Sequence, residues 1–201
     1  MTHTEAEIKL AGPTLDALHQ RLTAAGCTLE LVAPRHFEDN WLFDTPARLL
    51  FNTRQALRVR IRDDKDGAVL THKGKPAATP PSGVKVREEI EVTVSDGPAL
   101  MRLLEKLGFE KTFRYQKFRT TYRLRHADGI ELWAMFDETP IGCFVELEGE
   151  ATSIERLIRC LGLAPGDYIT VSYPHLQFER CRADGKPLED MTFTLSSGDG
   201  R

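Results

Sequence analysis

Long apolar runs are missing from this sequence: no stretch approaches the roughly 20 residues that span a bilayer. The opening residues, Met1 to Glu7, are polar and acidic, so no secretory leader is read there, and a cytoplasmic location is the default expectation. Cysteine is scarce. Cys27, Cys143, Cys160 and Cys181 are widely spaced with no C-x-x-C pair, which argues against zinc and for buried free thiols. None of the six histidines falls into a metal-ligand spacing such as H-x-x-x-H, so structural or surface roles are expected for them. A surplus of one charge sign is also lacking. The formal net charge of -3 gives no reason to expect nucleic acid or an anionic membrane as partner. Ser172 has no accompanying His/Asp constellation, which argues against nucleophilic catalysis. There is no internal repeat and no low-complexity block.

What is present fits 201 residues of one soluble domain, or one domain with a small appendage. Period-two patterning predicts eight strands: Glu5–Leu10, His36–Asp44, Ala56–Arg62, Ala68–Gly74, Lys85–Val94, Thr112–Arg125, Ile130–Asp137 and Phe144–Glu150. Three helices are predicted between them. Thr14–Ala25 carries Leu15, Leu18 and Leu22 and stops at Gly26; Pro98–Leu107 is capped by Asp96 or Gly97 and stops at Gly108. In Ser153–Leu161, Thr152 and Glu155 have the spacing of a capping box. The proline-rich stretch Pro76 to Gly83 reads as a mobile loop, and the polar tail as disordered from about Ser196. Trp41 and Trp133 read as barrel packing, although alternation puts Trp133 on a charged face where it could border a substrate ring.

The strands share one peculiarity. Glu5, Glu7 and Lys9 alternate with Ala6, Ile8 and Leu10, so one face is charged and the other apolar. Arg58, Arg60 and Arg62; Lys73 and Lys75; Arg87, Glu89 and Glu91; Lys117, Arg119 and Arg123; and Glu146, Glu148 and Glu150 repeat the pattern. A wet sheet face usually mixes Thr, Ser and Gln with its charges, whereas here nearly every such position is fully charged and the signs segregate by strand. Converging cations repel unless an anion lies between them; arginine forks and lysine point charges suit phosphate oxygens. Facing carboxylates call for Mg²⁺ or Mn²⁺ in the same way. The two sets together read as a metal–polyphosphate site. That requires a barrel with a wet lumen, because a sandwich has no room for it.

These residues also resemble a known family. Glu5-Ala6-Glu7-Ile8-Lys9 matches the E-x-E-x-K signature of the CYTH superfamily, the triphosphate tunnel metalloenzymes, which includes class IV adenylate cyclases, thiamine triphosphatases and inorganic triphosphatases. Asn40–Thr45, Leu57-Arg58-Val59-Arg60, Lys73 with Lys75, Arg87/Glu89/Glu91, Lys117/Arg119, Phe136-Asp137-Glu138 and Glu146-Leu147-Glu148 follow in the family's order. Ser172-Tyr173 with Leu176 is similar to the closing segment. The likeness runs from Thr4 to Phe178, giving a tunnel domain over 1–178 and an unmatched tail over 179–201.

The resemblance implies a predominantly antiparallel α+β fold, an eight-stranded closed tunnel barrel with a charged lumen and a few flanking helices. It implies metal ligation by Glu5, Glu7, Asp137, Glu146 and Glu148, with Mg²⁺ or Mn²⁺ as cofactor. It implies phosphate contacts from Lys9, Arg58, Arg60, Lys73, Lys75, Lys117 and Arg119, with Arg87 a further candidate and Glu89 and Glu91 turned inward to partner cations. Asn40 departs from the pattern, which commonly has an acid there. Lys9, Glu7 and Glu148 are the expected catalytic residues. Tyr173 either seals one tunnel end or packs its helix. The expected reaction is hydrolysis of inorganic triphosphate, thiamine triphosphate or a nucleoside triphosphate such as ATP. The alternatives are a class IV adenylate cyclase, forming cyclic AMP and pyrophosphate, and a non-catalytic polyphosphate or nucleotide-binding module. A homodimer is compatible with the sequence.

Overall fold

Alternating charged and apolar residues on every strand require a sheet with two dissimilar faces, and the chain meets that requirement by curling the sheet shut. A computed structural model of the protein describes residues 2–77 and 84–194, with side chains for 6–77, 84 and 86–194. The strands are β1 (Thr2–Gly12), β2 (Cys27–Asp44), β3 (Ala56–Arg62), β4 (Ala68–Lys73), β5 (Lys85–Val94), β6 (Glu110–His126), β7 (Ile130–Thr139) and β8 (Gly142–Gly149). They form a closed barrel in the order β1-β5-β4-β3-β2-β6-β7-β8, and every neighbouring pair is antiparallel.

Among the described residues five helices lie around the barrel: α1 (Leu15–Ala24), α2 (Leu49–Asn52), α3 (Gly97–Lys106), α4 (Ala151–Cys160) and α5 (Tyr173–Ala183). The hydroxyl of Thr14 accepts from Ala17 N at 3.1 Å and caps α1; Asp96 accepts from Ala99 N at 2.8 Å and caps α3. The expected Thr152/Glu155 capping box does not form. α4 begins two residues earlier, with Glu150 as its cap residue and no side-chain cap bond. Its buried Ile154, Leu157 and Ile158 hold it in place instead; each contributes about 1.5–3 kcal/mol on burial.

The outward faces of β1, β6, β7 and β8 pack with α1 and α4 into the largest apolar cluster, around Ile8, Leu10, Leu124, Leu132 and Leu147. α3 covers β3 through Leu100 and Leu104. The core therefore lies outside the barrel, and the lumen is left for charge.

Three features of the chain differ from the expected elements. β2 starts at Cys27, nine residues before the expected His36, because register shifts at Leu31/Ala33 and Ala33/His36 carry the strand past Pro34. α5 has no apolar periodicity; its buried stripe is Tyr173, Gln177 and Cys181, only partly apolar. The polar segment after α5 is ordered against the barrel through Met191, which is buried beside Tyr115. Met191 O accepts from Gln116 N and Met191 N donates to Arg114 O, both at 2.9 Å, extending the sheet where β6 runs beyond its pairing with β7. Ile169 does the same for β1, exchanging two 2.8 Å backbone bonds with Lys9 where the pairing with β5 has ended. The expected mobile loop from Ala78 onward and the expected disorder beyond Ser196 lie outside the described residues. No helix among the described residues is long and apolar enough to cross a membrane.

Candidate functional site

Strand register decides which charges meet. Glu7 lies directly opposite Glu148, and Lys9 opposite Glu146, across the β1–β8 pair. Arg119 lies opposite Asp137, Arg58 opposite Thr71, Lys73 opposite Glu89, and Glu38 opposite Lys117. All of these point inward. Glu7, Lys9, Arg58, Lys73, Lys117, Arg119, Glu146 and Glu148, with Arg60 and Arg87, line a cavity of about 1110 Å³, whereas Glu38, Thr71 and Asp137 do not reach it. Nine arginines and lysines against six carboxylate residues line it, an excess of positive charge that suits an anion.

The acidic wall is built on β1 and β8. Lys9, 2% exposed, sits 3.4 Å from Glu7 and 3.2 Å from Glu146. Burial opposes a charge on Lys9, but Glu7 and Glu146 outweigh it and hold the ammonium above the ordinary lysine range. Burial likewise disfavours the Glu146 carboxylate, yet Lys9, Lys117 and Arg119 pull it far below the usual glutamate range. Both groups are therefore charged at neutral pH. Carboxylates placed directly opposite on neighbouring strands are mutually destabilising, as Glu7 and Glu148 are here, and a divalent cation relieves this.

The basic wall is built on β2, β3 and β4. Arg58 donates to Tyr115 Oη and Thr71 Oγ1, both at 3.2 Å. Arg60 is 3.6 Å from Glu38 and 3.6 Å from Glu91. Burial, then the adjacent Arg58, holds Arg60 below the ordinary guanidinium range. The Nε atoms of Arg58 and Arg60 and both amide atoms of Asn40 are buried without a hydrogen-bond partner among the described residues. Unsatisfied buried donors are costly, so this wall gains most from ligand oxygens.

Asp137, expected as a metal ligand, is surrounded by hydrogen-bond donors. It is fully buried and is not among the residues lining the cavity. Lys117 Nζ donates to it at 3.0 Å, Arg119 Nε and Nη2 at 2.7 Å each, and Tyr173 Oη at 2.7 Å. Oδ2 takes three of these four bonds and Oδ1 one, which ties Asp137 to Lys117, Arg119 and Tyr173, all of which line the cavity. Tyr173, left open between plug and packing residue, reaches into the barrel from the start of α5 and lines the cavity. Lys9 and Lys117 stand 5.5 and 5.2 Å from its ring centroid.

Lys75 lies beyond the end of β4, is exposed, and does not line the cavity. Glu5 pairs with Arg87 by backbone register, but its side chain lies outside the described ones. Glu89 and Glu91 do face inward, Glu89 bridging Lys73 and Glu91 lying 3.7 Å from Arg58. Trp133 stacks against Arg123, whose guanidinium carbon is 4.4 Å from the ring centroid, and lines a separate pocket of about 120 Å³ that shares Glu148.

Several site residues escaped the sequence reading. Glu38 is 1% exposed and contacts Arg60, Lys117 and His36. Its parity with His36 and Asn40 on β2 could have revealed it. Arg48 and Arg54 flank α2 at the cavity mouth, both with left-handed backbone (φ 55 and 60). Asp44 holds α2 there by accepting from Leu50 N and Phe51 N, each at 2.9 Å. Local sequence carries no sign of that turn.

Comparison with known proteins agrees with this architecture. The CYTH domain model matches residues 3–161. A Methanocaldococcus jannaschii protein, whose name assigns it provisionally to the adenylate cyclases, is 29% identical over 153 residues, covering 71% of this chain and 82% of its own length. A Pyrococcus horikoshii protein of known structure superposes with a TM-score of 0.66 at 25% identity, over 88% of this chain and 99% of the other. A Hippeastrum protein, assigned provisionally to the adenylyl cyclases and described as having a dominant triphosphatase activity, superposes with a TM-score of 0.56 at 20% identity, over 94% of this chain and 100% of its own. The matched family model and a barrel that turns its charges inward lead to one assignment: the chain belongs to the CYTH family.

Proposed function

We propose that the protein is a divalent-metal-dependent triphosphatase whose substrate lies along the tunnel. The observation that carries this reading is the division of the lumen into a carboxylate wall (Glu7, Glu146, Glu148) and a guanidinium wall (Arg58, Arg60), within one cavity that has more cations than acids. The donor set fits the cofactor: carboxylate oxygens on two adjacent strands suit Mg²⁺ or Mn²⁺, and Glu7, Glu146 and Glu148 would hold it. When bound, such a metal neutralises phosphate charge and lowers the pKa of a coordinated water.

The chain's own residues do the rest. Arg58, Arg60, Lys73, Arg87 and Lys117 grip the phosphate oxygens and fix their direction along the tunnel. Lys9 keeps its proton and stabilises charge that develops on the phosphate near the acidic wall. Arg119, held by Asp137, is kept from collapsing onto substrate and presents its remaining donors in a fixed direction. Glu146 is too strongly held in its ionised form to act as a general base. Its role is electrostatic.

Two observations favour a cyclase reading. The cavity has room for a nucleoside beside a triphosphate, and the M. jannaschii relative carries a cyclase name. The deciding experiment incubates the protein with ATP, thiamine triphosphate and inorganic triphosphate, each with Mg²⁺ or Mn²⁺. Metal-dependent orthophosphate release is expected. Cyclic AMP with pyrophosphate as the main products would replace hydrolysis by cyclisation, and tight binding without turnover would leave a binding module.

A further inference from the structure

We propose that His126, Asp128 and Cys160 form a zinc-type metal site on the outside of the barrel, separate from the tunnel. None of the three lines the tunnel cavity. His126 and Asp128 stand at the turn joining β6 to β7, and Cys160 is the last residue of α4. Sequence spacing hides the group, since it joins a histidine and an aspartate two apart to a cysteine 32 residues further on.

The distances fit the chemistry. A ring nitrogen of His126, an Asp128 carboxylate oxygen and Cys160 Sγ all lie within 4.8 Å of one another. Asp128 Oδ2 is 3.5 Å from His126 Nδ1 and 3.4 Å from Cys160 Sγ. Tetrahedral zinc, with bonds of about 2.0–2.3 Å, holds its ligand atoms roughly 3.3–3.7 Å apart. Both separations from Asp128 fall in that range, and the remaining one, between the His126 ring nitrogen and Cys160 Sγ, is at most 4.8 Å, so the three groups need only draw together to take an ion.

The histidine is also oriented for ligation. Its Nε2 stands 3.1 Å from the carbonyl oxygen of Ala25, a pure acceptor, so Nε2 carries the proton. Asp128 N donates to Nδ1 at 3.2 Å, which marks Nδ1 as the lone-pair nitrogen. A ring N–H donated to a backbone carbonyl is the usual outer-shell arrangement of a metal-bound histidine, and an ion would take Nδ1 from the Asp128 N–H that it now accepts. Arg156 donates to Asp128 O and ties the turn to α4.

A thiolate, an imidazole and one carboxylate select zinc over the oxygen-seeking Mg²⁺. Binding would replace the Cys160 S–H proton, now directed at Asp128, and release it to solvent. Cys27 is buried and is not part of this group. The ion would clip the end of α4 to the β6–β7 turn and leave a fourth position open to water.

Cobalt titration of the metal-stripped full chain tests this, because Co²⁺ bound to thiolate gives a charge-transfer absorption. One equivalent should produce that band, and Zn²⁺ should displace it. Cys160→Ser, at an exposed position, should remove the band and weaken Zn²⁺ binding by about tenfold or more in chelator competition. It should leave the circular dichroism spectrum and triphosphate turnover unchanged. Glu146→Gln, in the tunnel, should keep the band, which separates this site from the tunnel carboxylates. No band in the wild type, or a band that survives Cys160→Ser, would overturn the proposal whatever the tunnel proves to do.

Discussion

The two sides of the lumen use the same residue types to opposite ends. At the β6–β7 corner, Asp137 accepts four hydrogen bonds from Lys117, Arg119 and Tyr173. On the β2–β3 wall, Arg58, Arg60 and Asn40 leave buried polar atoms without partners among the described residues. A satisfied buried network specifies structure, whereas an under-satisfied one is costly until a ligand completes it. Charge alone does not mark a binding residue; the state of its hydrogen bonds does.

The sharpest way to break this comparison is Asp137→Asn. Removing one partner of a buried ion pair typically costs about 3–5 kcal/mol, so a large drop in the denaturation midpoint is expected. Little change in stability would mean that the corner is not a structural hub. Glu148→Gln should instead spare stability and lower metal-dependent turnover by about a hundredfold or more, roughly 3 kcal/mol of transition-state stabilisation. Wild-type rates in this variant would remove the metal from the acidic wall.

Arg60→Ala addresses the basic wall directly. Loss of a charge-assisted contact should raise KM by about tenfold, with kcat nearly unchanged. Because Arg60 is crowded by Arg58, the unliganded protein should be no less stable, which a thermal melt without substrate would show. A melt with triphosphate and Mg²⁺ should separate wild type from variant, because ligand stabilises only where it binds.

The smallest effect expected is acid sensitivity. Glu146 and Glu38 titrate in the folded protein well below the ordinary glutamate value of 4.5, so their ionised forms stabilise the fold. That stabilisation is complete above the unfolded value and is lost as pH falls from there toward the folded one. The slope is about 1.4 kcal/mol per pH unit for each group. Melting temperature should therefore decline below about pH 4.5, more gently in Glu146→Gln; an identical slope would exclude Glu146 as a contributor.

Much of the barrel could be read from the chain because strand periodicity is local. β3 and β5 begin and end where alternation predicts, and Lys9, Arg58, Arg60, Lys117, Glu146 and Glu148 alternate with apolar partners that mark them as inward. The first half of β2 was not legible, since bulges around Pro34 break the alternation that identifies a strand. Glu38 was overlooked in consequence, at the edge of a strand whose true start lay earlier. α5 hid because its buried stripe includes Gln177, and Met191 because one apolar residue in a polar tail carries no period.

By itself the sequence determined a two-faced sheet of eight strands and the parity of its charges. Those properties follow from side-chain alternation, which every strand carries in its own residues. Only the tertiary structure decided which charges are spent on one another. Asp137 and Glu146 look equivalent along the chain, yet one lies fully buried among four donors and the other lines the cavity. The same holds for His126, Asp128 and Cys160, whose nearness depends on where α4 docks. Partnership across strands and helices is fixed by register and packing, and no local stretch of sequence contains either.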